Sequence, residues 1–363
     1  MQVSPVLAAI LLATATLQAA VAAQPVADAL QRPALAVREP ARAVLLAAAA
    51  AGERLVAVGE RGLVVLSDDQ GASWRQAPSP VSVTLTAVRF ADARHGVAVG
   101  HGGVVLATGD AGATWTLRLD GRRVAELAAA AADTTELQRE AERLQADGPD
   151  KPFLDVLLWD AQRWLVAGAF GLVFETRDAG RSWQPLMHRL PNPRGLHWYV
   201  LRRQGDTLLL AGEQGLLARS SDGGATFQAL ESPYRGSWFS GEILSDGEWL
   251  LGGLRGNLWR GGSPGGGVHG GSAQSTPAGA AWRQLPSPVP SSVTALVALP
   301  GGQAFVATQA GLVLQLQDGT LKPLNRDKSV PMPSALLPLR DGRLLSVGMA
   351  GIVPVPTAQV RQP

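Results

Sequence analysis

A motif that returns at near-constant spacing, and short apolar runs that alternate with turn residues, predict an all-β protein. The expected form is a seven-bladed β-propeller of four-stranded blades, with a helical insertion between blades 2 and 3. The motif is clearest in "VGERGLVVLSDDQGASW" (58–74), "VGHGGVVLATGDAGATW" (99–115), "AGAFGLVFETRDAGRSW" (167–183) and "AGEQGLLARSSDGGATF" (211–227). Each copy reads apolar strand, G-x-x-G, apolar strand, then [ST]-x-D-x-G-x-[ST]-[WF]. Weaker copies follow at 252–262, 307–319 and 347–356. The second glycines fall at 62, 103, 171, 215, 256, 311 and 351, with spacings of 41, 68, 44, 41, 55 and 40. Four of these six match the ~40–45 residues of a propeller blade, and each longer spacing contains an insertion. Seven units closing on themselves leave only short protected strand edges.

Within a unit, G-x-x-G is the tight turn between the second and third strands, where glycine supplies positive φ. The aspartate turn joins the third strand to the fourth, its carboxylate accepting backbone N–H groups. The expected turn residues are Asp69, Asp110, Asp178 and Asp222, and Trp74, Trp115, Trp183 and Phe227 (with Trp282 in the fifth unit) pack between blades. A phosphate loop needs a helix after its glycines, and strands follow here. A calcium loop needs several carboxylates, whereas Asp110 stands nearly alone.

The ends and insertions complete the frame. Residues 3–23 are uncharged and end in small residues, which predicts a signal peptide over 1–23, cleaved before Gln24. Residues 24–363 then form one propeller. Residues 122–146 are rich in Ala, Leu, Glu and Arg and predict one or two helices, with Asp133-Thr134-Thr135 as break or cap. Residues 261–281 are Gly/Ser-rich and read as a disordered loop. The seventh unit stops after its third strand, and the strand-like segment 34–38 is expected to close the ring by pairing with 351–355.

The chain has no cysteine, which excludes disulfides, thiolate metal sites and a cysteine nucleophile. A net charge of +2 gives no electrostatic case for nucleic acid. The five histidines show no close ligand spacing, so neither metal nor cofactor is expected. In a propeller, G-x-x-G turns and blade-to-blade connections emerge on one face and aspartate turns on the other. The hairpin face gathers Glu60, Arg61, His101, Phe170, Glu213 and Arg255 at turn tips. Lys151, Asp155, His197, Trp198, Tyr234, Arg235 and Trp238 lie in the connections and strand starts. Aromatics with arginine are what protein interfaces favour, so the candidate partner-binding surface is this face of blades 3–5.

The G-x-x-G turn followed by [ST]-x-D-x-G-x-[ST]-W resembles the Asp-box, or BNR, repeat of sialidase-like propellers. More closely, it resembles the photosystem II stability/assembly factor family over about residues 35–355. The helical insertion followed by "DGPDKPFLD" is similar to that family's non-photosynthetic bacterial branch. The resemblance implies a non-catalytic propeller, exported to the periplasm rather than a thylakoid lumen. It implies a monomer that binds a membrane protein or its exposed segment, with peripheral membrane association allowed and an RND-type exporter as one candidate client. Arg235 and Arg255 would form a basic patch for that client. The alternative is a sialidase-like glycan hydrolase using Asp155 and Glu213 as its two carboxylates.

Overall fold

The computed structural model describes residues 28–262, 282–325 and 329–356. The expected signal peptide and most of the 261–281 loop lie outside the described residues. The chain forms seven antiparallel sheets in sequence order, six of four strands and the last of three. Their innermost strands are Leu45–Ala51, Leu85–Phe90, Phe153–Leu158, Trp198–Gln204, Trp238–Ile243, Val293–Ala298 and Pro333–Pro338. Each packs on the next, and the last packs on the first, closing a β-propeller. The core is a series of wedges between neighbouring blades. Trp115, for example, packs with Val56 and Leu66 of the preceding blade while its Nε1 donates to Gly112 O at 2.9 Å.

The G-x-x-G turns are architectural, for a steric reason. The first glycine sits under the carbonyl that precedes its own blade's inner strand: a Cβ on Gly59 would lie 2.2 Å from Val44 O. The second has positive φ and faces the connection to the next blade: a Cβ on Gly62 (φ +74) would lie 2.0 Å from Val81 O. Between them the chain makes one 3₁₀ turn whose middle residue is left-handed, as at Arg61, Phe170, Gln214 and Arg255 (φ 52–57). On the other face the aspartate turns are closed networks. Asp222 accepts from Thr226 N at 2.9 Å, Thr226 Oγ1 at 2.6 Å and Ser220 Oγ at 2.8 Å. These bonds hold its carboxyl down at about 2, as similar ones do for Asp69 and Asp178.

The insertion folds as two helices, α1 (Gly121–Ala130) and α2 (Thr135–Asp147). Asp120 caps α1 by accepting from Arg122 N and Arg123 N, and Thr134 caps α2 by accepting from Leu137 N. Their apolar faces (Val124, Ala125, Ala128, Ala141, Leu144) pack into the wedge between blades 2 and 3.

Ring closure differs from the sequence expectation. Among the described residues blade 7 has three strands, Pro333–Pro338, Leu344–Gly348 and Gly351–Pro354, and 34–38 does not join them. The reason lies in the hydrogen-bond phase of the edge. Val355 N donates inward to Leu344 O, so Val353 also faces inward, opposite Ser346. That leaves Ile352 and Pro354 pointing out, and proline has no N–H to offer. Residues 34–37 instead run along the outer edge of blade 1. Ala34 N donates to Ser79 O at 3.1 Å, and the Gln76 side chain bonds both Leu35 O and Val37 N at 2.9 Å. Further back the arm buries Leu30 beside Val81 and Val104. The closing seam is held by side chains, with Leu55 packed on Leu337, Leu339 and Leu345.

Candidate functional site

Every inner strand begins at the hairpin face with the same local device. The first residue is buried against the ring, a register shift follows, and the next side chain turns toward the channel mouth. The second position carries Leu46, Thr86, Leu154, Tyr199, Phe239, Thr294 and Ser334 in blades 1 to 7. Blades 4 and 5 therefore place two aromatics side by side at the mouth.

These two extend a row that starts at a turn tip. Phe170, 47% exposed on its left-handed tip, contacts His197 edge-on at 5.0 Å between ring centres. His197 contacts Tyr199 at 6.0 Å, and Tyr199 contacts Phe239 at 5.5 Å. Phe239 is itself 36% exposed. Lys151 Nζ lies 5.3 Å over the Phe170 ring and 3.0 Å from Asp147 at the end of α2, so the helical insertion braces the outer end of the row. Glu213 accepts from His197 N at 3.2 Å. Burial pushes the Tyr199 phenol up, and the neighbouring Glu213 charge adds to the effect. Leu254, Met332 and Met349, all exposed, add apolar surface to the same face.

Deeper in the channel, four consecutive blades contribute one charged residue each. Asp155 accepts from Val156 N (2.9 Å), Leu201 N (3.0 Å) and Arg202 Nη1 (2.6 Å), with Arg89 Nη2 at 3.6 Å. Arg202 Nε also reaches Glu242 at 2.9 Å. Burial alone would raise the Asp155 carboxyl, but the two guanidiniums and two backbone N–H groups outweigh it and hold it below the usual carboxylate range. The facing blades carry Val297, Leu337 and Ala49 at the position of Arg89, Arg202 and Glu242, so at this level the inner strands are charged on one side of the ring only.

The structure sorts the sequence-derived candidates by accessibility. Arg61, His101, Phe170, Arg235 and Arg255 are exposed, and His197, Glu213 and Tyr234 are half-buried. Lys151, Asp155, Trp198 and Trp238 are buried. Trp198 and Trp238 are the first residues of inner strands, equivalent to Leu45, Leu85 and Val293, and fill the ring between blades. A partner cannot touch them, which corrects their assignment to the docking surface. Asp155 likewise serves the ionic chain rather than the surface. The residues missed were Tyr199, Phe239, Arg89, Arg202 and Glu242. Aligning the inner strands column by column exposes them, because each breaks a column that is otherwise small or aliphatic.

No family model matches the sequence, and no curated protein matches it either. Solved structures of similar shape include YCF48 bound to D1 peptide, at 16% identity and a TM-score of 0.63, covering 90% of this chain and 100% of that one. YCF48 from Cyanidioschyzon merolae aligns at 13% identity and 0.61, covering 86% and 94%. The WD40 propeller domain of Doa1 aligns at 11% and 0.58, covering 91% and 97%. At these identities the likeness is one of fold: this chain is a seven-bladed propeller of the same general shape as YCF48 and the WD40 rings.

Proposed function

We propose that this chain is an exported, non-catalytic propeller that holds a segment of a membrane-protein client on the hairpin face of blades 3–5. The observation that carries the reading is the continuous row Phe170–His197–Tyr199–Phe239, which runs from a turn tip to the channel mouth with both ends exposed. Large aromatics left in water beside unpaired arginines form a surface that binding would desolvate. Arg235 and Arg255 have no ion pair among the described residues and stand on the same face. A similar fold carrying a peptide of D1 supports the class of partner. Periplasmic export rests on the resemblance and on the signal-peptide reading of residues 1–23, and a monomeric state and an RND-type exporter as client rest on the resemblance. The glycan-hydrolase reading gains no support from Asp155, whose two oxygens are already taken up by four donors.

The test is co-purification from detergent-solubilised membranes, comparing wild type with Phe170→Ser/Phe239→Ser. Both positions are exposed, so the variant folds. Recovery of a membrane protein with wild type and its loss with the variant is the expected result. Equal recovery with both would remove the row from the site.

A further inference from the structure

The ring carries one seven-residue string twice with a single difference, Ala77 against Leu285. Arg75-Gln76-Ala77-Pro78-Ser79-Pro80-Val81 ends blade 1, and Arg283-Gln284-Leu285-Pro286-Ser287-Pro288-Val289 ends blade 5. The two sit in the same register: Gln76 lies opposite Val65, and Gln284 opposite Trp259. In both, the serine hydroxyl donates to the carbonyl two residues on, Ser79 to Val81 at 3.3 Å and Ser287 to Val289 at 2.8 Å. In both, the adjoining turn tip holds a left-handed arginine, Arg61 or Arg255. Among the described residues no other blade has glutamine at this position; Leu117, Pro185, Ala229 and Pro323 stand there in blades 2, 3, 4 and 6.

What differs is occupancy. On blade 1 the chain's own arm is seated as an extended segment. Gln76 Nε2 donates to Leu35 O, Gln76 Oε1 accepts from Val37 N, and Ser79 O accepts from Ala34 N. Among the described residues nothing is seated at the same place on blade 5, which is a cleft of about 410 Å³ walled by Arg255, Gln284, Pro286, Ser287, Val289 and Pro290. Gln284 is exposed, and its amide makes one long hydrogen bond, to Asn257 Oδ1 at 3.3 Å.

We propose that the blade 5 cleft is a separate peptide site, which takes an extended aliphatic segment of a partner protein as blade 1 takes the arm. Gln284 holds a backbone carbonyl and the N–H two residues later. The Ser287 carbonyl receives a further N–H, and Pro286, Val289 and Pro290 receive the aliphatic side chain. Arg255, without an ion pair among the described residues, favours an acidic residue beside that segment. This site goes beyond the aromatic row, uses none of the row's four residues and shares only Arg255 with the proposed client surface.

A fluorescently labelled peptide with the sequence of residues 32–39, Arg-Pro-Ala-Leu-Ala-Val-Arg-Glu, tests it by polarisation against the full chain. A second peptide has both arginines replaced by glutamate. Saturable binding of one peptide per chain is expected. Gln284→Ala should weaken it roughly tenfold, the worth of two net hydrogen bonds. The acidic peptide should bind more tightly than its parent, and Arg255→Gln should erase that difference. Both substitutions are at exposed positions, so an unchanged unfolding midpoint shows the variants intact. Failure of both peptides to saturate, or binding unaffected by Gln284→Ala, overturns the proposal. Concentration-dependent dimers that Gln284→Ala dissociates would assign the cleft to the arm of a second copy, and would overturn the partner assignment. No client is needed, so failure here leaves the hairpin-face reading standing.

Discussion

Replacing Asp155 by Asn tests whether the ionic chain in the channel fastens blades 2 to 5 together. The carboxylate is buried and bonds two guanidiniums and two backbone N–H groups from three blades. Removing one partner of a buried pair costs about 3–5 kcal/mol. Arg202 keeps Glu242 and the carbonyl of Leu201, which places the expected loss near the lower end, about 3 kcal/mol. Arg89→Gln makes the contrast. Its contact is long, at 3.6 Å, and its side chain is 39% exposed, so solvent screening keeps the loss below about 1 kcal/mol. The Asp155 carboxyl is held below its usual value in the folded ring. Its contribution is therefore complete above the unfolded-state value and is lost as pH falls through the lowered folded value. Urea-unfolding midpoints for wild type and both variants, measured from about pH 7 down to about pH 3, read all of this. The wild type should lead Asp155→Asn by most at neutral pH, and the lead should shrink below about pH 4. An Asn variant as stable as wild type, or a lead that does not change with pH, would refute the reasoning.

Two further predictions concern the frame. Gly62→Ala places a methyl 2.0 Å from Val81 O at φ +74, and should cost roughly 3 kcal/mol or more. Gly301→Ala has similar φ (+70, with ψ 25) but nothing within 4 Å, and should cost only about 1 kcal/mol. Paired thermal or urea melts separate the steric term from the backbone term. Leu30→Ala should destabilise by about 2–3 kcal/mol through the cavity left beside Val81 and Val104, and should speed proteolytic cutting of the arm at 31–37 ahead of the ring.

The parts of the fold legible in the sequence are those that steric need repeats in every blade. Gly59 and Gly62 are fixed by carbonyls that would strike a Cβ, and Asp222 by the three donors it gathers, so both patterns recur and can be counted. The helical insertion was legible for another reason: a long stretch without Gly or Pro, capped by Asp120 and Thr134, has one local solution. Ring closure was not legible. Ala34–Val37 reads as a strand whichever edge receives it, and the choice depended on Gln76 offering both a donor and an acceptor while Pro354 offered no donor.

The same logic explains why the candidate site was half seen. Trp198 and Trp238 looked like surface aromatics because tryptophan is rare and they stand near a face. Their column, however, runs Leu45, Leu85, Phe153, Trp198, Trp238, Val293 and Pro333, which is uniformly apolar and buried in every blade. The next column runs Leu46, Thr86, Leu154, Tyr199, Phe239, Thr294 and Ser334, and it turns to the channel mouth because a register shift follows the first residue in every blade. A large aromatic in the first column fills a wedge. In the second, Tyr199 is half-buried against the blade 4–5 core and Phe239 is exposed, so the Phe239 ring is costly in water unless something covers it. Blade 5 makes the same point at its rim, where Gln284 repeats the Gln76 that holds the arm on blade 1 and, among the described residues, no segment is seated. A ring held by what repeats is free to vary where it does not, and Tyr199, Phe239, Gln284 and Arg255 are the departures that the fold itself does not require.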